Sequence, residues 1–368
     1  VINMKLFELS NYLDIRVPLA FQEDYDNCGL LIGDKNMQIK SVLVCLDCTE
    51  EVVDEAIKNN HNLIISHHPI LFKGLKKIIG SNYIQKIVKK VIKHDIAIYT
   101  MHTNLDNMYG GVSFQIANKI LLQNTRILKP KTNVLSKLSV YCPSSHTEKI
   151  KSALFNAGAG KVGEFYDNCS FVSKGLGSFK PLDGASPFSG TLGKDSLDKE
   201  DEIEVIFYSY LKSNLLSALK EAHPYEEVAY SCHQVDAFAP CGSGVIGELN
   251  KEMTLNQFLK HIKNHLKCNT VKYTLSSSKK NIKSVALCGG SGSFLLNDAI
   301  KNKADVYISS DFKYHDFFDA NKEICILDIG HYESEYFTQH LIFDILKEKF
   351  SKLAVHLTSV CTNPVLYY

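Results

Sequence analysis

The sequence predicts an α/β protein with a core of two pseudo-symmetric, βαβ-containing halves, interrupted by a smaller α+β insert. Three observations carry that expectation. A strand–helix–strand pattern occurs twice, once toward each end of the chain. The apolar strands in both copies stop abruptly at serine, histidine or aspartate. Between the copies, residues 137–236 do not follow the repeat. A chain of 368 residues is long enough for two domains.

In the first half, Ser41-Val-Leu-Val-Cys45 reads as a strand. Val52, Val53, Ala56 and Ile57 follow at helical spacing, and Leu63-Ile64-Ile65 forms a second strand. That strand runs into Ser66-His67-His68-Pro69. Proline cannot continue a central strand, so the histidines sit at the strand's end, where α/β proteins place their sites. Neighbouring strand residues point to opposite sides. The pair therefore suits two ions, or one ion and a substrate, better than one tetrahedral ion. A third strand, Ile96 to His102, ends in histidine, with Asp106 four residues on and helix-like Ile116, Ala117, Ile120 and Leu121 beyond.

The second half aligns without a gap through its first two strands. Ser284-Val-Ala-Leu-Cys288 falls on Ser41–Cys45, Leu295, Leu296, Ala299 and Ile300 form the helix, and Ile308-Ser309 matches Ile65-Ser66. Ser310-Asp311 lands on His67-His68, and His315 lies four residues past Asp311. Ile324 to His331 is the counterpart of the third strand, with Glu335 four residues on and Leu341, Ile342, Ile345 and Leu346 beyond. Such βαβ units build parallel sheets with right-handed crossovers. Imidazole and carboxylate four residues apart share a helix face and make a workable metal-ligand pair.

The segment 137–236 is expected to be a domain between core halves 4–136 and 237–368. Leu138–Cys142 reads as a strand and Thr147–Ala157 as a helix stopped by Gly158 and Gly160. Turns are expected over Gly175–Gly193 and a solvated, mixed-charge loop over Lys194–Glu204. A strand at Ile203–Phe207, a helix at Leu211–Ala222 and a last strand near Val228–Tyr230 complete a β-α-β-β-α-β order, which suggests a ferredoxin-like domain. His223-Pro-Tyr-Glu-Glu227 reads as a turn and domain contact.

Other function classes are set aside by composition. With 41 basic and 40 acidic residues the net charge is +1, which offers no footprint for nucleic acid. No apolar run approaches a membrane span, and the N-terminus, Val-Ile-Asn-Met-Lys-Leu, with Met4 the expected natural start, has no signal-peptide pattern. Eleven cysteines, an odd number scattered singly, suggest reduced thiols and a cytoplasmic location. Cys45-Leu-Asp-Cys48 is a C-x-x-C, readable as a redox motif or half a zinc site, or more plainly as one core thiol and one turn thiol. Gly289-Gly290-Ser291-Gly292-Ser293 follows a strand and opens a helix. Gly289, Gly290 and Gly292 are candidate phosphate- or carboxylate-binding positions, against the alternative of a tight turn needing small residues.

Five segments together resemble the NIF-three-like family, also called GTP cyclohydrolase 1 type 2 homologues or dinuclear-metal-centre proteins. They are D-N-C-G-L-L-I-G-D from Asp26, S-H-H-P from Ser66, H-T-N-L-D from His102, S-S-D-F-K-Y-H-D from Ser309 and G-H-Y-E-S-E from Gly330. Tyr25 stands where the family often has tryptophan. The resemblance implies two divalent ions per chain, from among Zn, Fe, Mn and Ni, held by His67, His68, Asp106, His331 and Glu335, with Glu335 bridging. It places His102, Asp311 and His315 close by as catalytic or substrate-handling groups. It also implies a homohexamer and an insert similar to PII- and CutA-type domains. The expected activity is hydrolysis of a nucleotide or phosphoester by a metal-activated water. The alternative is a hexameric metal-binding scaffold or regulator without turnover.

Overall fold

The structure, a computed structural model, describes residues 4–161, 163, 166–236, 240–276 and 281–368. Val1–Asn3 and the expected boundary at Ala237 lie outside the described residues. Two compact units result: one is the chain up to Lys129 together with Cys241–Tyr368, the other is Pro130–Pro240. In chain order the strands are β1 (Gly29–Ile32), β2 (Val42–Cys45), β3 (Leu63–Ser66), β4 (Ala97–Thr100), β5 (Gln123–Pro130), β6 (Leu135–Pro143), β7 (Phe171–Phe179) and β8 (Ser196–Tyr208). They continue with β9 (Tyr230–Val235), β10 (Gly242–Thr254), β11 (Lys272–Tyr273), β12 (Asn281–Ser291), β13 (Val306–Ser310), β14 (Cys325–Asp328) and β15 (Val355–Leu357).

The first unit holds two sheets, ordered β1-β4-β3-β2-β15 and β11-β14-β13-β12-β10-β5. In the first, β2, β3 and β4 run parallel, with Cys45 opposite Ser66 and Ser66 opposite Thr100. In the second, β12, β13 and β14 run parallel, with Ser309 opposite Asp328. The central residues of these strands, such as Leu63-Ile64-Ile65 and Val285-Ala286-Leu287, are apolar because both faces are covered. Leu63 and Ile65 of β3 join Leu287 of β12 and Ile308 of β13 in one core, which also takes Leu9, Phe258 and Ile342 from helices Leu6–Arg16, Leu255–Leu266 and Thr338–Lys349. Ile64 faces the other way, onto Val52, Val53 and Ala56 of helix Glu50–Lys58 and Ile87 and Val91 of helix Tyr83–Lys93. Those helices start where side chains satisfy their first amides: Thr49 Oγ1 accepts from Val52 N, and Asn82 Oδ1 from Gln85 N.

One expectation changes in the second sheet. The glycine run is not a turn after a strand ending at Cys288. Strand β12 continues to Ser291, and its register against β13 slips between Leu287 and Ser291. The glycines thus form a bulge, which bends the strand locally. The following helix begins as a 3₁₀ turn at Ser293–Leu295 before Leu296–Lys301.

The second unit is a four-stranded sheet, β7-β8-β6-β9, with every neighbouring pair antiparallel. Helices Thr147–Asn156 and Lys212–Ala222 bury Ile150, Leu154, Leu215 and Leu219 against Leu138, Val140, Ile203 and Val205. Two expectations are corrected here. The last part of β7, residues 175–179, falls in the expected turn stretch, and most of the expected charged loop, from Ser196, is the first part of the long strand β8, paired as Phe179 opposite Ser196 through Phe171 opposite Glu204. Much of that hairpin is solvent-facing, with Leu176 and Leu197 exposed. Its strands therefore lack the apolar run that marks a buried strand, and its charges are ladder side chains.

Ile64 has no exposed surface and sits one strand-turn before the paired histidines. Ile64→Ala is expected to cost about 2–5 kcal/mol, read as a lower urea midpoint with an unchanged slope.

Candidate metal centre

The C-terminal edges of the two parallel strand runs carry the polar residues. On one side β3 delivers Ser66, His67 and His68, and β4 delivers His102 and the short helix Thr103–Asp106. On the other, β13 delivers Asp311 and β14 delivers Gly330 and the helix His331–Glu335. His331 and Glu335, four apart, share a face of that helix. Gly330 starts it at φ +90°, and a Cβ there would strike the Glu333 carboxylate, so glycine is required.

Glu335, only 3 % exposed, is the meeting point. Its Oε2 lies 3.0 Å from His68 Nε2 and 2.9 Å from His331 Nε2. Its Oε1 lies 3.9 Å from His67 Nε2, which is 3.6 Å from Asp106 Oδ1. The two nitrogens His68 Nε2 and His331 Nε2 are 3.3 Å apart. Three overlapping groups have ligand atoms within 4.8 Å of one another: His67, Asp106 and Glu335; His68, His331 and Glu335; and His67, His68 and His102.

Each histidine is oriented from behind. His67 Nδ1 lies 2.8 Å from the Met101 carbonyl, which only accepts, so Nδ1 carries the proton and Nε2 presents a lone pair to the site. His68 Nδ1 meets Asp47 Oδ1 at 2.7 Å, His331 Nδ1 meets Asp311 Oδ2 at 2.6 Å, and His102 Nδ1 meets both Asp26 oxygens at 2.9 Å. A carboxylate or carbonyl behind an imidazole sets its tautomer and raises its basicity as a ligand.

The donor set fits metal ions on an observation of the chain itself. His67 Nε2 and Asp106 Oδ1 are buried and have no hydrogen-bond partner among the described residues. An imidazole lone pair and two carboxylates facing one another make an arrangement of acceptors, which a cation satisfies and for which no donor stands at His67 Nε2 or Asp106 Oδ1 among the described residues. Without a cation, protons serve instead. Burial would lower His68, but Asp47 and Glu335 outweigh it and push its pKa up to about 9. Asp311 and Glu335 do the same for His331, to about 11. Burial would raise Glu335, yet His331 and His68 hold it well below the usual carboxylate range. Asp106 goes up, first by burial and then by the Glu335 charge.

The site opens into a cleft of about 1330 Å³, lined among others by Tyr25, Phe72, Lys73, Lys272, Tyr332 and Tyr367. His67, His68, Asp106, His331 and Glu335 come together, with His102 packed against the first two at ring-centroid distances of 5.2 and 5.4 Å. Asp311 reaches the site through His331. His315 does not: it is exposed on the 3₁₀ helix Tyr314–Ala320, beside Tyr314 and Phe318, and is not among the cleft-lining residues. Gly289 and Gly290 donate their N–H groups to Ser113 Oγ and Ser334 Oγ, and Gly292 O accepts from the Tyr307 hydroxyl. At Gly290, φ +60°, a Cβ would collide with Glu335 Oε1, so the bulge admits the carboxylate. Cys45 and Cys48 are buried in an apolar cluster, and burial pushes Cys48 up to about 12, which suits core thiols rather than a redox pair. His223 spends both nitrogens on the Tyr141 carbonyl and Tyr225 N–H, so its motif forms a turn.

Asp26 and Asp47 are the residues that sequence reasoning passed over. Asp26 lay inside a recognised segment and Asp47 inside the C-x-x-C, but nothing local says that either backs a histidine 76 or 21 residues away.

The profile of the Duf34/NIF3 (NGG1p interacting factor 3) family matches residues 4–364. A Bacillus subtilis (strain 168) protein named GTP cyclohydrolase 1 type 2 homolog is 40% identical over 349 residues, 94% of this chain and 90% of that protein. A protein of the same name from Staphylococcus aureus (strain MSSA476) is 36% identical over 99% of this chain and 100% of its own length. Among solved structures, a Bacillus cereus protein related to NIF3 superposes with TM-score 0.85 at 35% identity, covering 100% of both chains.

Gly290→Ala is expected to cost about 1–2 kcal/mol from the left-handed backbone and to lower metal content by displacing Glu335, checked by denaturation and elemental analysis. For chelator-treated protein, a folded His68 pKa near 9 against an ordinary 6.5 means that the stabilisation is complete below pH 6.5 and lost as pH rises through 9. The melting temperature of that form should fall across this window; a flat profile would contradict the pairing.

Proposed function

This chain belongs to the Duf34/NIF3 family, and from that premise we propose that it is a dinuclear metal-dependent hydrolase acting on a nucleotide or phosphoester. The observation that carries the reading is the division of Glu335: one oxygen faces His67 and Asp106, the other His68 and His331. His67, Asp106 and Glu335 would hold one divalent ion, and His68, His331 and Glu335 the other. On this reading each of the paired histidines at the end of β3 serves its own ion. Mixed imidazole and carboxylate donors suit Zn²⁺, Fe²⁺, Mn²⁺ or Ni²⁺. Bound there, such ions supply Lewis acidity and lower the pKa of water toward neutrality.

The chain's own residues have separate tasks. His102, backed by Asp26 and packed beside His67 and His68, moves a proton at the cleft floor. Asp311 and Asp47 keep His331 and His68 aimed inward. Lys73 on the cleft wall supplies positive charge for a phosphorylated substrate. The relatives' printed name makes GTP one candidate substrate. The same family reading proposes a cytoplasmic homohexamer with core halves 4–136 and 237–368 around a ferredoxin-like insert, 137–236. The matching parallel runs β2-β3-β4 and β12-β13-β14 support pseudo-symmetric halves, and the β-α-β-β-α-β order of the second unit supports the insert.

Elemental analysis joined to a nucleotide and phosphoester screen tests the proposal. Wild-type protein is expected to hold two ions per chain, Glu335→Ala to lose them, and His102→Ala to keep them while kcat falls about 10²–10⁴-fold. Metal content unchanged in Glu335→Ala would refute the bridging role. Metal-loaded protein inactive on the whole panel would favour the scaffold or regulatory role.

A further inference from the structure

The stretch after β15 takes no part in either sheet, yet it is tied to the site along its length. Thr358 N–H donates to the Val44 carbonyl at 2.9 Å, and the Thr358 hydroxyl bonds Glu55 of helix Glu50–Lys58. Ser359 donates to the same carboxylate through its N–H at 3.0 Å and its hydroxyl at 2.7 Å. Thr362 Oγ1 then donates to Asp47 Oδ2 at 2.7 Å, while the other oxygen of Asp47 holds His68 Nδ1 at 2.7 Å. Asn363 Nδ2 donates to Glu333 Oε1 at 3.2 Å. Glu333 lies on the helix that carries His331 and Glu335. Thr362, Asn363, Pro364, Val365 and Tyr367 also line the cleft.

We propose that residues 358–367 are a strap that completes the metal centre, and that Thr362 is a positioning residue for His68, acting through Asp47. This rests on the dinuclear reading above. The Asp47 side chain is 36 % exposed and is bonded at both oxygens; Thr362 holds the far one, so the near oxygen stays on His68 Nδ1 and Nε2 stays aimed at Glu335 Oε2, 3.0 Å away. Groups behind a ligand matter because they fix its orientation before the ion arrives. Asn363 braces the opposite side of the same site. The strap therefore touches the supports of both ligand-bearing strand edges. By linkage, an ion bound at His68 and His331 must steady the strap as much as the strap favours the ion.

The test titrates Zn²⁺ into metal-free wild-type, Thr362→Val and Thr362→Ser proteins against a chromophoric chelator, and follows amide exchange over 358–367 with and without Zn²⁺. The expected result is two ions in the wild type, one of them held about 10–100-fold more weakly in Thr362→Val, near-normal affinity in Thr362→Ser, and slower strap exchange when Zn²⁺ is present. Three results would each overturn the inference: both ions held at wild-type affinity in Thr362→Val, no recovery in Thr362→Ser, or strap exchange indifferent to Zn²⁺ in the wild type. A wild type that takes up no Zn²⁺ would overturn the dinuclear reading and this inference with it, whereas the first three leave that reading standing.

Discussion

A carboxylate almost wholly removed from water sits at the centre of the candidate site, and the surrounding structure compensates it. Glu335 is 3 % exposed and faces His67, His68 and His331. A buried charge survives only if it is paired and fully hydrogen-bonded, or if it coordinates a cation. His68 and His331 answer Oε2, Oε1 faces the His67 lone pair and is left for a cation, and the glycine bulge in β12 makes the room that Glu335 occupies. The positive φ at Gly330 starts the helix that swings it inward. Local backbone choices that look unrelated in the chain thus meet one requirement.

The requirement propagates outward through the histidines. An imidazole can present a lone pair on only one nitrogen, so the other must donate to something fixed. Met101, Asp47, Asp311 and Asp26 fill that role for His67, His68, His331 and His102. Three of the four are carboxylates at the strand edges, and they compete with the site for protons when no cation is there. This explains why His68 and His331 go up while Glu335 goes down. Asp311 itself sits at φ +60°, a left-handed conformation that aspartate tolerates better than most residues, and which carries its carboxylate to His331.

The second unit obeys a different economy. Its sheet buries one face under two helices, and its long β7–β8 hairpin is largely open to solvent. The His223 turn and the Asp201 carboxylate, which accepts from Ser144 and Thr147, are internal fastenings. Among the described residues, the buried side-chain atoms left without a partner, His67 Nε2 and Asp106 Oδ1 among them, all lie in the first unit.

Much was legible in the linear order. Short apolar runs ending in His67-His68, His102, Asp311 and His331 announced strand edges with ligand chemistry, because burial on both faces demands an uninterrupted apolar strand and polar residues can appear only where it stops. The four-residue spacing from His331 to Glu335 placed both on one helix face without any knowledge of the fold. What the tertiary structure alone decided are the contacts between distant residues. Which Glu335 oxygen meets which histidine depends on elements 267 residues apart, and the bond from Thr362 to Asp47 spans 315. The same long-range packing separated His315 from the site, by winding its segment into a 3₁₀ helix that turns it to solvent, and made a ladder strand of the charged stretch before Glu204. Periodicity records which face of an element is buried; it holds no record of which other element covers that face.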